Sequence, residues 1–174
     1  EMSTCFADLL SDRQGTFIPG VAEQLSFPSG QDLIVSCSAL QWFVSPEQFF
    51  KRCNALLSGH GYFAFSTFGK ENLKEIAAVT GSGLHYYSLE ELKKSLSMHY
   101  NIVTAGEERI RLTFATPLDV LYHLKHTGVT AVCRQAWTKG DLQEFCDKYA
   151  KLFSCGNAVT LTYHPLYIIA RKKP

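Results

Sequence analysis

The chain lacks most of the features that quickly reveal a function. No hydrophobic run reaches membrane-spanning length, and the N-terminus has neither the charged start nor the apolar middle of a secretory signal. Neither sign of charge is in excess. Seventeen Lys and Arg against sixteen Asp and Glu leave +1 at pH 7, which gives no case for nucleic acid or an anionic membrane as the main partner. Repeats and low-complexity linkers are missing. The six cysteines (Cys5, Cys37, Cys53, Cys133, Cys146, Cys155) include no C-x-x-C pair. They read as reduced, mostly buried thiols of a cytosolic protein. The six histidines show no H-x-x-x-H or H-E-x-x-H spacing, so no metal site is expected.

What is present is ordinary globular material: 174 residues, 46% hydrophobic and 19% charged, enough for one core and one domain spanning residues 1–174. Two apolar runs stand out, Asp32 to Trp42 and Gly61 to Phe68. Each is short enough for a strand buried on both faces. A helix is predicted between them. Ser45 is its N-cap, Pro46 its first residue and Gln48 the partner in a capping box, with Gly59 as its stop. Its apolar stripe is Phe49, Phe50, Cys53, Leu56 and Leu57. This β-α-β unit implies an α/β fold with a parallel sheet, whose ligands sit beyond the carboxyl ends of the strands. Function is therefore sought at Ser38 to Trp42 and at Thr67 to Gly69.

Elsewhere a helix is predicted over 2–12, a short strand over 16–18 and a short helix over 71–79. Ser88-Leu-Glu-Glu91 is a capping box opening a further helix. Residues 101–114 read as extended, with Arg109, Arg111 and Thr113 on a wet face. Helices start at Pro117 and after Thr138, the first stopping at Gly128. A last strand spans 158–170 with a break near His164-Pro165, where proline suits an edge or a bulge. The count is five strands.

Four stretches carry a resemblance to a known family. They are Phe17-Ile-Pro-Gly-Val-Ala-Glu-Gln-Leu25, Asp32 to Trp42, Leu121 to Thr130 with its Leu-Lys-x-x-Gly-Val-Thr pattern, and Leu161-Thr-Tyr-His164 with Ile168 to Arg171. Together they resemble the class I S-adenosylmethionine-dependent methyltransferases, and within these the malonyl-acyl-carrier-protein O-methyltransferases of biotin synthesis. The resemblance implies a Rossmann-like, mostly parallel sheet with an antiparallel last strand. It also implies that the first two strands are missing from these residues. The family's glycine-rich first loop is not found here, nor is the acidic residue after its second strand. Val21 stands where the family has an aspartate that accepts from the adenine amino group, a hydrogen bond worth about 0.5–3 kcal/mol. The 174 residues alone are expected to bind the cofactor weakly and to be a poor enzyme.

The resemblance assigns Val21, Ala22, Glu23, Ser38, Ala39 and Leu40 to the cofactor, S-adenosyl-L-methionine. Gln41, Trp42, Tyr86 and Tyr87 are expected at the substrate, with Arg111 among the cations available to its free carboxylate. No catalytic acid or base is expected. A malonyl carboxyl, with a pKa of roughly 4, is ionised and attacks the methyl directly, so proximity and orientation suffice. Residues 84–156 are expected to carry the lid and the substrate-side helices. The partner implied is malonyl-loaded acyl carrier protein or malonyl-CoA. Carrier proteins are acidic, so Lys93-Lys94, the His123, Lys125 and His126 cluster, and Arg171 to Lys173 are candidate docking residues. Two other readings stay open: a methyltransferase for another small acid, and a non-catalytic remnant, which Val21 and the absent glycine loop favour.

Overall fold

The computed structural model describes Thr16, residues 18–129 and residues 137–174. The predicted helix over 2–12 lies outside the described residues. Thr16 and Ile18, the described members of the predicted strand over 16–18, are not in a strand.

Strand β1 (Gln31–Cys37) leads through a 3₁₀ turn (Leu40–Trp42) into α1 (Pro46–Leu56) and then β2 (Leu57–Phe68). β1 and β2 pair in parallel, as the β-α-β reading requires. The way α1 begins and ends differs from expectation. The Ser45 side chain makes no capping bond. Instead Glu23, twenty-two residues upstream, accepts the N–H groups of Val44 (3.1 Å) and Ser45 (3.0 Å). A carboxylate beside a helix N-terminus meets the positive end of the dipole, and by accepting the Ser45 N–H, Glu23 takes the donor that Gln48 would receive in a capping box. Nor does Gly59 end the helix. The helix stops at Leu56, and Gly59 lies inside β2.

Then follow α2 (Lys74–Thr80), α3 (Leu89–Leu96), β3 (Tyr100–Glu107), β4 (Ile110–Phe114), α4 (Pro117–His126), α5 (Lys139–Phe153), β5 (Ser154–Cys155), β6 (Ala158–Tyr163) and β7 (Pro165–Lys172). The capping box at Ser88 and Glu91 is present as read, and Thr138 makes another with Asp141. A third, at Thr116 and Asp119 ahead of Pro117, had no expectation attached.

The strands form two sheets, a four-stranded one in the order β1-β2-β7-β3 and a three-stranded one in the order β4-β6-β5. β7 is antiparallel to both β2 and β3, so β1, β2 and β3 run one way and β7 runs against them. The extended stretch 101–114 and the final strand 158–170 are thus each two strands rather than one. β3 with β7 forms one end of a long antiparallel ribbon and β4 with β6 the other. The ribbon changes sheet at Glu107 to Arg109 and at His164. Pro165 opens β7, a central strand, at a position where its missing N–H does no harm.

Two cores result. In one, α1 and α3 cover a single face of the larger sheet around Phe50, Phe63, Phe65, Leu96, Tyr100, Leu166 and Ile168. In the other, α2, α4 and α5 pack on the smaller sheet around Ile76, Val120, Phe145, Tyr149 and Leu161.

Candidate active site

The carboxyl ends of β1 and β2 open into a cavity of about 810 Å³. Its lining includes Gln41, Trp42, Lys70, Asn72, Lys74, Tyr86 and the Gly81-Ser-Gly83 segment. The chain reaches this cavity through two turns in the left-handed region, Ser38 (φ 49°) and Leu73 (φ 53°), backbone conformations that non-glycine residues hold only when neighbours fix them. Ser38 is fixed by its N–H donating to the Ser66 carbonyl (3.0 Å). Leu73 is fixed by its N–H to the Thr162 carbonyl (2.8 Å) and by burial of its side chain.

Gln41 ties the two strand ends together. Its amide donates to the Ser38 carbonyl (2.6 Å), and its carbonyl accepts the Thr67 hydroxyl (3.1 Å). It braces the site rather than reaching freely into it. The Trp42 indole is half exposed at the cavity wall. Tyr86 receives a hydrogen bond from the Asn72 amide (3.0 Å), which leaves its own hydroxyl proton free to be donated. Burial pushes the Tyr86 pKa up, so it stays a neutral donor. Tyr87 faces another recess beside Gln41, Pro46 and Leu92, and stacks edge-on with His85. Gln41, Trp42 and Tyr86 therefore come together. Tyr87 is beside them, and Arg111 is apart, in a recess with Glu71, Lys74, Arg109 and Thr162.

Asn72 and His164 carried no sequence signal of this arrangement. Asn72 accepts the buried His164 backbone N–H (3.2 Å) while holding Tyr86. The His164 ring is boxed in. Its Nδ1 accepts the Glu71 N–H (3.1 Å), which places the ring proton on Nε2, and Nε2 donates to Glu107 (3.2 Å). With both ring nitrogens engaged, His164 is a brace at the ribbon's crossing and not a base for chemistry.

A second groove, about 420 Å³, runs along the edge of β1 between that strand and residues 22–28. Ala22, Phe27, Leu33, Cys37, Ala39, Phe43 and Arg52 are on its walls. Among the described residues β1 has one ladder partner, β2, so this groove follows an open strand edge. Val21 is exposed and closes a turn through the Gln24 N–H (2.8 Å), whereas the Leu40 side chain turns into the core. Both Glu23 oxygens are committed to α1.

The comparisons decide the family. A malonyl-[acyl-carrier protein] O-methyltransferase of Bacteroides thetaiotaomicron is 55% identical over 183 residues, covering 99% of this chain and 70% of that protein. The chain belongs to the malonyl-acyl-carrier-protein O-methyltransferase family. The relative of the same name from Bacteroides helcogenes is 50% identical, covering 99% of this chain and 68% of that protein. The one from Bacteroides fragilis is 55% identical over 99% of this chain but 35% of its own length. The chain thus spans between about a third and 70% of these relatives. A family model described as a methyltransferase domain matches residues 1–65.

Among solved structures, one from Bacillus halodurans described as a methyltransferase superposes with a TM-score of 0.66 at 16% identity, covering 98% of this chain and 77% of that one. The [4+2]-cyclase SpnF does so at 0.56 and 16%, covering 98% and 60%. A cyclase on the same scaffold shows that the fold alone does not set the chemistry.

A malonyl-acyl-carrier-protein O-methyltransferase takes its methyl group from S-adenosylmethionine. The residues described here fit one part of that cofactor. Ala22, Cys37 and Ala39 line the groove together with Phe43, small side chains beside an aromatic ring that would hold a purine. Among the described residues no carboxylate lines the groove to accept from ribose hydroxyls.

Proposed function

We propose that the chain is part of an enzyme that transfers the S-adenosylmethionine methyl group to the free carboxylate of a malonyl thioester on acyl carrier protein, giving the methyl ester used in biotin synthesis. The observation that carries this reading is the 50–55% identity, along 99% of the chain, to relatives of that name. The polar cavity at the carboxyl ends of β1 and β2 supports it, because this is where α/β sheets of this kind bind ligands.

When bound, the cofactor supplies an electrophilic methyl group on a sulfonium. The chain's residues hold and orient the nucleophile. Ala22 and Ala39 form the wall for the purine, with Val21 in the adjoining turn, and Glu23 acts indirectly by pinning that turn to α1. Ser38 and Leu40 set the backbone path between groove and cavity. A carboxylate needs no base to attack, and a strong ion pair to the attacking oxygen would weaken it. The neutral Tyr86 hydroxyl answers both requirements, since it can hold the second carboxylate oxygen without cancelling the charge. Trp42 closes over the acyl group, Tyr87 backs the Tyr86 loop, and residues 84–156 supply the substrate-side layer.

The docking residues expected on charge alone are largely engaged within the chain. Lys93 pairs with Glu90, Lys172 donates to the Leu57 carbonyl, and Lys173 donates to that of Ser97. Among the described residues no helix is long and apolar enough to cross a membrane.

The test is transfer of labelled methyl from S-adenosylmethionine to malonyl-acyl carrier protein by the full-length protein. Alkali-labile label on the malonyl group is expected. Cofactor binding without label would move the substrate to another acid, and absence of both would favour the remnant. Tyr86→Phe is expected to lower kcat/KM about tenfold, the loss of one well-placed hydrogen bond.

A further inference from the structure

The cavity does not end at α2. Lys74 lines it and also lines a separate recess of about 340 Å³ whose other walls are Glu71, Arg109, Arg111 and Thr162. The two spaces are neighbours across one side chain. Their chemistry differs: the cavity is mixed polar and apolar, while the recess presents three cations against one carboxylate.

Two of the three cations are held by ion pairs. One Glu71 oxygen accepts from Arg109 Nε (2.6 Å) and the other from Lys74 Nζ (2.9 Å), while Arg109 Nη1 donates to Glu107 (3.0 Å). Glu71 thus acts as a clamp between two cations on opposite walls, and those bonds hold its own pKa down at about 2. Arg109 keeps Nη2 for a ligand, and Lys74 keeps two of its three protons. Arg111 stands on β4 opposite Thr162 and makes no ion pair or side-chain hydrogen bond with any described residue. Thr162 is itself held by the buried Glu75, through its N–H (3.0 Å) and its hydroxyl (2.5 Å), so the recess floor is rigid. One guanidinium fork with all its donors open, beside two partly open cations, suits a tetrahedral phosphate oxyanion.

We propose that Lys74, Arg109 and Arg111 form an anion subsite that holds the phosphate of the pantetheine arm while the acyl end of that arm lies in the Tyr86 cavity. This rests on the thioester reading above and adds to it the group by which the arm is recognised. The phosphate lies at the far end of a flexible arm from the thioester, so a cationic subsite one side chain away from the acyl cavity sets the register of the whole substrate. It also explains why Arg111, a residue expected at the substrate, sits outside the cavity. It serves the other end of the same molecule.

The experiment compares pantetheine with 4′-phosphopantetheine in binding titrations on the full-length protein. For the wild type, the phosphorylated compound is expected to bind about tenfold tighter. Arg111→Gln, on an exposed position, is expected to bring that ratio close to one, and Arg111→Lys to restore part of it. A wild-type ratio near one, or a ratio unchanged in Arg111→Gln, overturns the subsite. This readout needs no turnover, so it stands apart from the labelled-methyl test of the reaction itself. Turnover then separates the sources of phosphate. Arg111→Gln should raise KM alike for malonyl-phosphopantetheine, malonyl-CoA and the malonyl carrier protein. A rise confined to coenzyme A, which carries further phosphates, or to the carrier protein would overturn the assignment.

Discussion

The two sheets solve the problem of burial differently. The four-stranded sheet has one closed face and one open face. Phe63, Phe65, Ile168 and Ala170 point under α1 and α3 and are buried, whereas Leu33, Val35, Tyr62, Tyr167 and Ile169 on the opposite face are exposed. The three-stranded sheet is smaller, yet its middle strand is covered on both sides. Val159 and Leu161 pack on α4 and α5, while Thr160 and Thr162 on the other side of the strand are buried and hydrogen-bonded to α5 and α2. Among the described residues the larger unit closes mainly by hydrophobic area and on one side. The smaller one closes on both sides by adding polar partners for the groups it buries.

The largest expected effect tests the two faces of the larger sheet against each other. Phe63→Ala, on the closed face, should lower unfolding free energy by about 3–5 kcal/mol, whereas Val35→Ala on the open face of the same sheet should change it by about 0.5 kcal/mol or less in this chain. The chain's two tryptophans make the comparison readable in denaturant. Trp42 reports on the end of the larger sheet, and Trp137, whose ring lies 5.0 Å from that of Phe145, reports on the second core. Their transitions should coincide, because the ribbon runs through both cores. Separate transitions would mean that the two units are independent.

Next in size is the polar closure of the smaller sheet. Glu75→Ala strands the Thr162 N–H and hydroxyl inside the protein and should cost about 1–3 kcal/mol, read as a shift in the Trp137 transition. A neutral result would show that water replaces the carboxylate. Helix capping separates the units more finely. Thr138→Ala should cost about 1 kcal/mol, while Ser45→Ala, at a position whose side chain caps nothing, should cost little.

The smallest effect concerns the junction. The Arg109 and Lys74 side chains beside Glu71 hold its carboxyl at about 2, against an ordinary value of 4.5. A depressed carboxylate contributes stability that is present above its ordinary pKa and is lost as pH falls through the folded value. Stability should therefore decline between pH 4.5 and 2 more steeply in the wild type than in Arg109→Gln. The groups are well exposed, so the difference should be modest and should shrink in high salt.

Local signals in the sequence were read correctly where a short-range bond decides the outcome, as in the capping box of Ser88 with Glu91 and at the helix start marked by Thr138. They failed where a distant group took over. No window around Ser45 contains Glu23, and nothing in residues 101–114 shows that Glu107 and Ile110 belong to different sheets, because that depends on the ribbon's return through His164. The site was half legible for the same reason. Gln41 and Trp42 follow a recognisable strand, and both line the cavity. Asn72, which holds Tyr86 at one end and His164 at the other, is visible only once β7 is in place.

That placement bears on how the protein is made. β7 lies between β2 and β3, and β6 lies between β4 and β5, so residues 158–172 occupy the interior of both sheets. A chain emerging from the ribosome has β1 paired to β2 and most of its helices synthesised, yet neither sheet can be completed until this last segment arrives. Until then β3 and β4 present unpaired edges with nothing to join. Loss of residues 158–172 should therefore be as damaging as far larger losses elsewhere, and translation pauses before residue 158 should lengthen the interval in which the nascent chain is prone to aggregate.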